Sequence, residues 1–191
     1  MFREMIGASN LSRLMIVVLV ASSVTVRSAH AQRPPMASSD TARTRMAPLK
    51  WLVGEWAGPA TVTSGARKFI LTQRETVIEA ANGTVLMIQG RGSVAGANNT
   101  EREVFQAAGL LTYDVGASRF TWVSSGGTGH LGVSEAVVNG SSFVWSMSDG
   151  SGKKSRFTIS LTAAGEWYEL GEESTDGATW TKTIEMRLVK R

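Results

Sequence analysis

The chain has 191 residues, of which 42% are hydrophobic and 19% are charged, and it contains no cysteine. Without cysteine it can form neither a disulfide nor a thiolate metal site, so burial and backbone hydrogen bonding must supply its stability. The formal net charge of +4 is close to balance for this length, which gives no electrostatic case for a nucleic-acid partner.

The N-terminal segment has the three parts of a secretory signal peptide. Arg3 and Arg13 make its start basic, and residues 14–20 form a short apolar run. Residues 29–31 read Ala-His-Ala, the small-residue pattern of a cleavage site. The apolar run is shorter than the roughly 20 residues that a membrane-spanning helix needs. We therefore predict cleavage near Ala31, export to the periplasm or the medium, and no membrane-spanning segment in the mature chain.

The segment after the predicted cleavage site has the composition of a linker. Residues 32–48 contain three prolines among Ser, Thr, Ala and Arg and show no periodicity, so we predict that they are flexible. The chain then divides into a signal peptide (1–31), this linker and one folded domain (49–191), whose length fits a single core. One short helical turn is expected over 49–53.

The folded domain reads as ten short runs rich in Val, Ile, Thr, Phe and Trp, separated by turn residues. Dipeptides such as Asn82-Gly83 and Asn139-Gly140 suit two-residue hairpins. Short connections make neighbouring strands antiparallel, and closure leaves no edge strand exposed. We therefore predict an all-β fold, a ten-stranded antiparallel up-and-down β-barrel, with a two-sheet sandwich as the alternative. The predicted strands are 55–64, 67–80, 84–92, 103–113, 118–125, 130–138, 141–148, 154–162, 166–174 and 179–190.

Alternation along these strands predicts an apolar interior and a polar, charged exterior. Trp145 and Met147 stand two positions apart on one strand, and Trp122 belongs to the apolar set of another. Trp180 begins the apolar set of the last strand. Such residues commonly fill the core of a small barrel, and they would also suit the wall of a ligand cavity. We therefore name these four as candidate ligand-binding residues.

Glu172 is the candidate polar residue of the interior. It shares its parity with Tyr168 and Leu170, so the carboxylate faces inward if those side chains do. A carboxylate in an apolar barrel needs a raised pKa or a paired cation, for which Arg91 and Arg74 are possible partners. Glu172, Tyr168 and Arg91 are thus predicted to orient a ligand. The alternative is that Glu172 lies near the rim and faces solvent.

Gly54-x-Trp56 at the start of the first strand resembles the calycin signature of lipocalins and their relatives. In those families the tryptophan packs across one end of the barrel against a basic residue of the last strand. The resemblance implies that Arg187 or Lys190 is that partner here.

Residues 171–180, which read GEESTDGATW, and residues 111–114, which read LTYD, resemble a bacterial family of exported lipocalin-like domains of unknown function. The similarity covers most of residues 49–191 and implies a ten-stranded barrel without an established activity. Nitrobindin-like barrels are architectural relatives that hold haem through a histidine. His130 does not match the position of that ligand, so we expect no haem and no other cofactor.

The function predicted from these observations is binding of a small, mostly apolar molecule inside an exported barrel. No metal site is expected, because His130, the one histidine left after the predicted cleavage, lacks the partners that such sites need. No nucleophile–base pair is visible in the sequence, so catalysis is not the preferred hypothesis. Two alternatives stay open: a barrel whose exterior recognises a partner protein, and an enzyme acting through Glu172. The oligomeric state also stays open.

Overall fold

The structure, a computed structural model, describes residues 37–191. Ten antiparallel strands form one closed barrel, in which consecutive strands pair and the last strand pairs with the first. The predicted all-β, ten-stranded up-and-down barrel is therefore confirmed, and the sandwich is wrong. The strands are β1 (Gly54–Ser64), β2 (Arg67–Ala80), β3 (Val85–Ala95), β4 (Glu101–Asp114), β5 (Arg119–Gly126), β6 (Leu131–Asn139), β7 (Ser142–Ser148), β8 (Lys154–Leu161), β9 (Trp167–Ser174) and β10 (Thr181–Lys190). The helices are α1 (Ala37–Met46) and three 3₁₀ helices, Ala47–Leu52, Ala81–Gly83 and Ala97–Asn99.

Turn residues end the strands where the sequence predicts hairpins. Asn82 has a φ of 60° between β2 and β3, and Gly140 has a φ of 58° between β6 and β7. Asparagine and glycine adopt this left-handed conformation at little cost, so the chain reverses at these positions.

In the described residues the segment before the barrel is helical from residue 37 onward, whereas the sequence predicts a flexible linker over residues 32–48. α1 and the following 3₁₀ helix occupy residues 37–52, and Met46, Leu49 and Leu52 are almost completely buried in the core. Side chains three residues apart align in a 3₁₀ helix, so these three form one apolar face toward the barrel. In the described part of the chain no helix is long and apolar enough to span a membrane. The predicted signal peptide lies outside the described residues.

Three tryptophans complete the end of the barrel that this helical segment covers. The rings of Trp51, Trp56 and Trp167 meet edge to face, with centroids 5.8 to 6.0 Å apart. Trp56 Nε1 donates a hydrogen bond of 2.7 Å to Leu52 O, and Lys190 Nζ lies 5.2 Å from the centre of the Trp56 ring. Of the two basic residues expected to pack on Trp56, Arg187 and Lys190, it is Lys190 that does so.

Part of the exterior is apolar, which corrects the prediction of a uniformly polar outer face. Five apolar side chains, one from each of β2 to β6, stand in direct cross-strand register. Residues of this kind also favour strands for their shape, so their presence does not require burial. We call this set the outer apolar row; it consists of Ile78, Met87, Leu110, Val123 and Val133.

Candidate functional site

The interior of the barrel contains a cavity of about 290 Å³. Phe105 and Met147 line its outer part and are 43% and 41% exposed. Both lie at the end of the barrel opposite the helical segment, near the start of β4 and the end of β7. The cavity is thus closed by helices and tryptophans at one end and open to solvent at the other.

One wall of the cavity is a series of aromatic rings from β5, β7 and β8. Trp145 stacks on Phe157 with centroids 4.3 Å apart and planes inclined by 14°. Trp122 contacts Trp145 at 5.2 Å and Phe143 at 5.8 Å. These rings give the site a large apolar surface with defined orientation.

The cavity also contains three polar side chains, which we call the polar cluster: Gln73 and Glu75 on β2 and Glu169 on β9. Gln73 and Glu75 are only 2% and 6% exposed, and Gln73 Nε2 donates a hydrogen bond of 2.7 Å to Glu75 Oε1. Trp167 Nε1 donates to Glu169 Oε2 at 3.3 Å. Two carboxyl groups are therefore held inside the barrel with one hydrogen-bond donor each.

Burial changes the acidity of both carboxyl groups. It raises the pKa of Glu75 to about 7, against a smaller opposing effect of the Gln73 hydrogen bond. Burial, followed by the negative charge of Glu75, raises the pKa of Glu169 to about 8. Near neutral pH the pair therefore holds protons that exposed carboxyl groups would have released, so it can both donate and accept hydrogen bonds.

Glycines on β3 make room for Gln73 and Glu75 of the polar cluster. A Cβ atom on Gly90 would lie 2.7 Å from Glu75 Oε1, and one on Gly92 would lie 2.9 Å from Gln73 Oε1. Any larger residue at these positions would displace the carboxyl or the amide. The backbone of β3 thus lets both polar side chains fit inside the barrel.

Two further glycines make room for the aromatic wall in the same way. A Cβ atom on Gly109 of β4 would lie 2.3 Å from the Trp122 ring. On Gly171 of β9 it would lie 2.9 Å from the Phe157 ring. Together with the two glycines of β3, they form a set that we call the interior glycines.

Three polar atoms of cavity-lining side chains are buried without a hydrogen-bond partner in the part of the chain that the structure describes. They are Gln73 Oε1, Trp122 Nε1 and Trp145 Nε1. A buried polar group without a partner costs about 1–3 kcal/mol, so a ligand that supplies one gains that energy.

The predicted ligand-binding residues fall into two groups. Trp122, Trp145 and Met147 line the cavity. The prediction that Glu172 and Tyr168 face inward is wrong.

Both residues lie on the outer face of β9 and take part in polar contacts there. Arg156 Nε donates a hydrogen bond of 2.7 Å to Glu172 Oε2, and Tyr168 OH donates one of 3.0 Å to Glu185 Oε1. Glu169 occupies the inward position between them.

Trp180 and Arg91 also lie outside the cavity. The Arg156 guanidinium stands 4.0 Å from the centre of the Trp180 ring on the outer face. A β-bulge between Lys182 and Ile184 reverses the alternation at the start of β10, which moves Trp180 outward. Arg91 is exposed on β3, because its two glycine neighbours take the inward positions.

Gln73, Glu75 and Glu169 are not among the site residues predicted from the sequence. A signal for the first two was present, because Leu71 and Val77 share their parity and are buried at either side of them. In the described residues no group of three or more metal-ligating side chains could hold an ion.

Comparisons with known proteins inform the fold only. No family model matches the chain. No curated protein matches its sequence either. Among solved structures, the crystal structure of Rv2717c from M. tuberculosis is similar, with a TM-score of 0.53 and 13% sequence identity. The match covers 78% of this chain and 97% of that chain. At this identity the similarity supports a shared barrel fold.

Proposed function

We propose that this chain is an exported, lipocalin-like binding protein that holds a small, mostly apolar molecule in its barrel. The observation that carries the proposal is the open cavity of about 290 Å³ with its aromatic wall. Ligand pockets usually measure about 300–1,000 Å³, so the ligand is smaller than a typical drug-sized molecule.

The polar atoms of the cavity support a ligand that carries at least one polar group. Gln73 Oε1 and two indole N–H groups lack partners inside an apolar wall, and such groups usually fix the orientation of a ligand. The catalytic alternative required Glu172 inside the barrel. Because Glu172 pairs with Arg156 on the outer face, that alternative loses its candidate residue.

A fluorescence titration with prodan, a neutral apolar fluorophore, tests binding in the cavity. We expect its emission to rise on binding to the purified protein. Ala107→Phe places a ring inside the cavity and should weaken binding at least about tenfold, since the ring takes the volume that the probe needs. Leu110→Phe is the matched control on the outer face of the same strand and should bind as the wild type does. Equal affinity of all three proteins would contradict the proposal.

Mass spectrometry and absorption spectroscopy of the natively purified protein test the presence of a ligand, the cleavage of the signal peptide and the absence of haem. We expect a small organic molecule in the extract, a protein mass that corresponds to cleavage near Ala31, and an absorption spectrum without a haem band. An uncleaved chain recovered from the exported fraction would contradict the predicted signal peptide.

A further inference from the structure

We infer that the ligand is an amphipathic amine, whose protonated amino group is held between Glu75 and Glu169 while its apolar body packs on Trp122 and Trp145. The inference rests on the proposed function and names the chemical class of its ligand.

The cavity is acidic and holds no compensating cation among the described residues. Its lining includes Glu75 and Glu169 but no arginine, lysine or histidine. The nearest basic side chains along β2 and β3 point outward. Arg74 makes two hydrogen bonds to Glu101, of 2.8 and 2.9 Å, and Arg91 is exposed. A buried carboxyl either keeps its proton or needs a partner charge when it ionises, and a cationic ligand can supply that charge here.

The free oxygen atoms of the polar cluster match the N–H donors of an ammonium ion in number. Within residues 37–191, no hydrogen bond reaches the second oxygen of either carboxyl, Glu75 Oε2 or Glu169 Oε1. Gln73, 2% exposed, adds a third acceptor, since its Oε1 has no partner. An alkylammonium carries three N–H donors and no acceptor, whereas a ligand carboxylate would add a third acidic group.

The aromatic wall suits the rest of such a molecule. Trp122 and Trp145 lie 5.2 Å apart and line the same cavity as the carboxyl groups. Their faces attract a nearby cation and pack against an apolar chain or ring. An amine with an aromatic or aliphatic body thus contacts both the carboxyl groups and the aromatic wall of the cavity.

Protonation of the carboxyl pair links affinity to pH. The raised pKa values of Glu75 and Glu169 indicate a pair that lacks a cation, and an ammonium ion would lower both. Binding should release protons near neutral pH, and affinity should rise as the carboxyls ionise. The strands beside them contribute no charged group to the cavity: the facing residues are Trp56 on β1, Gly90 on β3, Ile159 on β8 and Met186 on β10.

Calorimetric titration with three probes of one shape tests the inference. Phenethylamine, phenethyl alcohol and hydrocinnamate share a phenethyl body and carry a cationic, a neutral and an anionic group. At about pH 8 we expect the amine to bind at least about tenfold more tightly than the alcohol, and the carboxylate to bind most weakly. The affinity for the amine should rise from about pH 6 to about pH 8, with proton release into the buffer.

Variants separate the charge of the pair from the shape of the cavity. The double variant Glu75→Gln, Glu169→Gln should lose at least about tenfold in its preference for the amine over the alcohol. Glu172→Gln removes one carboxyl group on the outer face and should change neither the affinity for the amine nor that for the alcohol. Circular dichroism checks that each variant is folded, and the selectivity of the wild type decides the question without any variant.

The outcomes distinguish this inference from the function on which it rests. Equal affinity for amine and alcohol would overturn the amine and leave the binding function standing. Failure of all three probes would also overturn the amine, and the prodan titration then decides the binding function separately.

Discussion

Glu75 and Glu169 oppose folding when they are charged. Each carboxyl keeps in the folded state a proton that the unfolded chain releases above its ordinary pKa of 4.5. Stability therefore falls as pH rises from about 4.5 to about 7 for Glu75 and to about 8 for Glu169. Below about pH 4.5 each carboxyl is protonated in both the folded and the unfolded chain, and this loss of stability is absent. Such a pair lowers the stability of the folded state near neutral pH, and carboxyl groups of this kind are typical of reactive or binding sites.

The double variant Glu75→Gln, Glu169→Gln should remove this pH dependence. Relative to it, the wild type should lose stability between about pH 4.5 and about pH 8. The shift of Glu75 alone, from 4.5 to about 7, corresponds to about 3 kcal/mol. Urea unfolding across this range measures the difference, with Glu172→Gln as the control that should follow the wild type. Parallel profiles for the wild type and the double variant would contradict the assignment.

At the scale of elements, the helical segment belongs to the barrel core. The 3₁₀ helix places Leu49 and Leu52 on one face, and both are completely buried beside Trp56. The hydrogen bond from Trp56 to the carbonyl of Leu52 then ties this helix to β1. The segment therefore seals the end of the cavity opposite the opening.

Leu52→Ala should lower the free energy of unfolding by about 2–5 kcal/mol, because it leaves a void in a fully buried position. Lys50→Ala is the control on the exposed side of the same helix. It removes a surface ion pair of 3.0 Å with Glu79, which should cost less than about 1 kcal/mol. Thermal and urea unfolding measure both changes. Equal, small losses would show that the helical segment contributes little to the core.

At the scale of the whole molecule, closure between β1 and β10 removes the last free edges of the sheet. Trp56 pairs with Lys190 and Val62 with Ile184, so the first and last strands meet over most of their length. An open sheet of this size would expose unpaired backbone groups on two strands.

A chain that lacks residues 181–191 should not fold cooperatively, because β1 and β9 would both become edges. The control lacks residues 1–46, keeps all ten strands, and should unfold cooperatively with reduced stability. Circular dichroism during urea titration and light scattering report folding and aggregation. A cooperative transition in the chain without β10 would show that closure is not required.

The sequence predicts the strand series and its closure well, but it does not decide which face of β9 points inward. The inward set of Trp167, Glu169 and Gly171 and the outward set of Tyr168, Leu170 and Glu172 each contain one aromatic residue and one glutamate. Alternation alone therefore does not distinguish the two faces of this strand. The register with β8 decides the orientation, since the inward aromatic and aliphatic side chains of β8 lie directly across from the inward set.

Two other features of the site depend on long-range pairing. The bulge that turns Trp180 outward lies between Lys182 and Ile184, in a strand whose alternation is otherwise regular. Gln73 and Glu75 occupy inward positions because β3 offers glycines across from them. The pattern of β10 alone does not reveal the bulge. The pattern of β2 alone gives the parity of Gln73 and Glu75 but not the room that β3 leaves for them.

The interior glycines have a consequence for how this barrel can diversify. Each of them accommodates a wall side chain of a neighbouring strand, so one added methyl group at Gly109 would push aside the indole of Trp122. The selectivity of related chains should therefore depend on these glycine positions as well as on the wall side chains that they accommodate. A comparison of related chains should begin with the glycines of the inner surface, since their positions determine the shape of each cavity and therefore of the molecule that fits it.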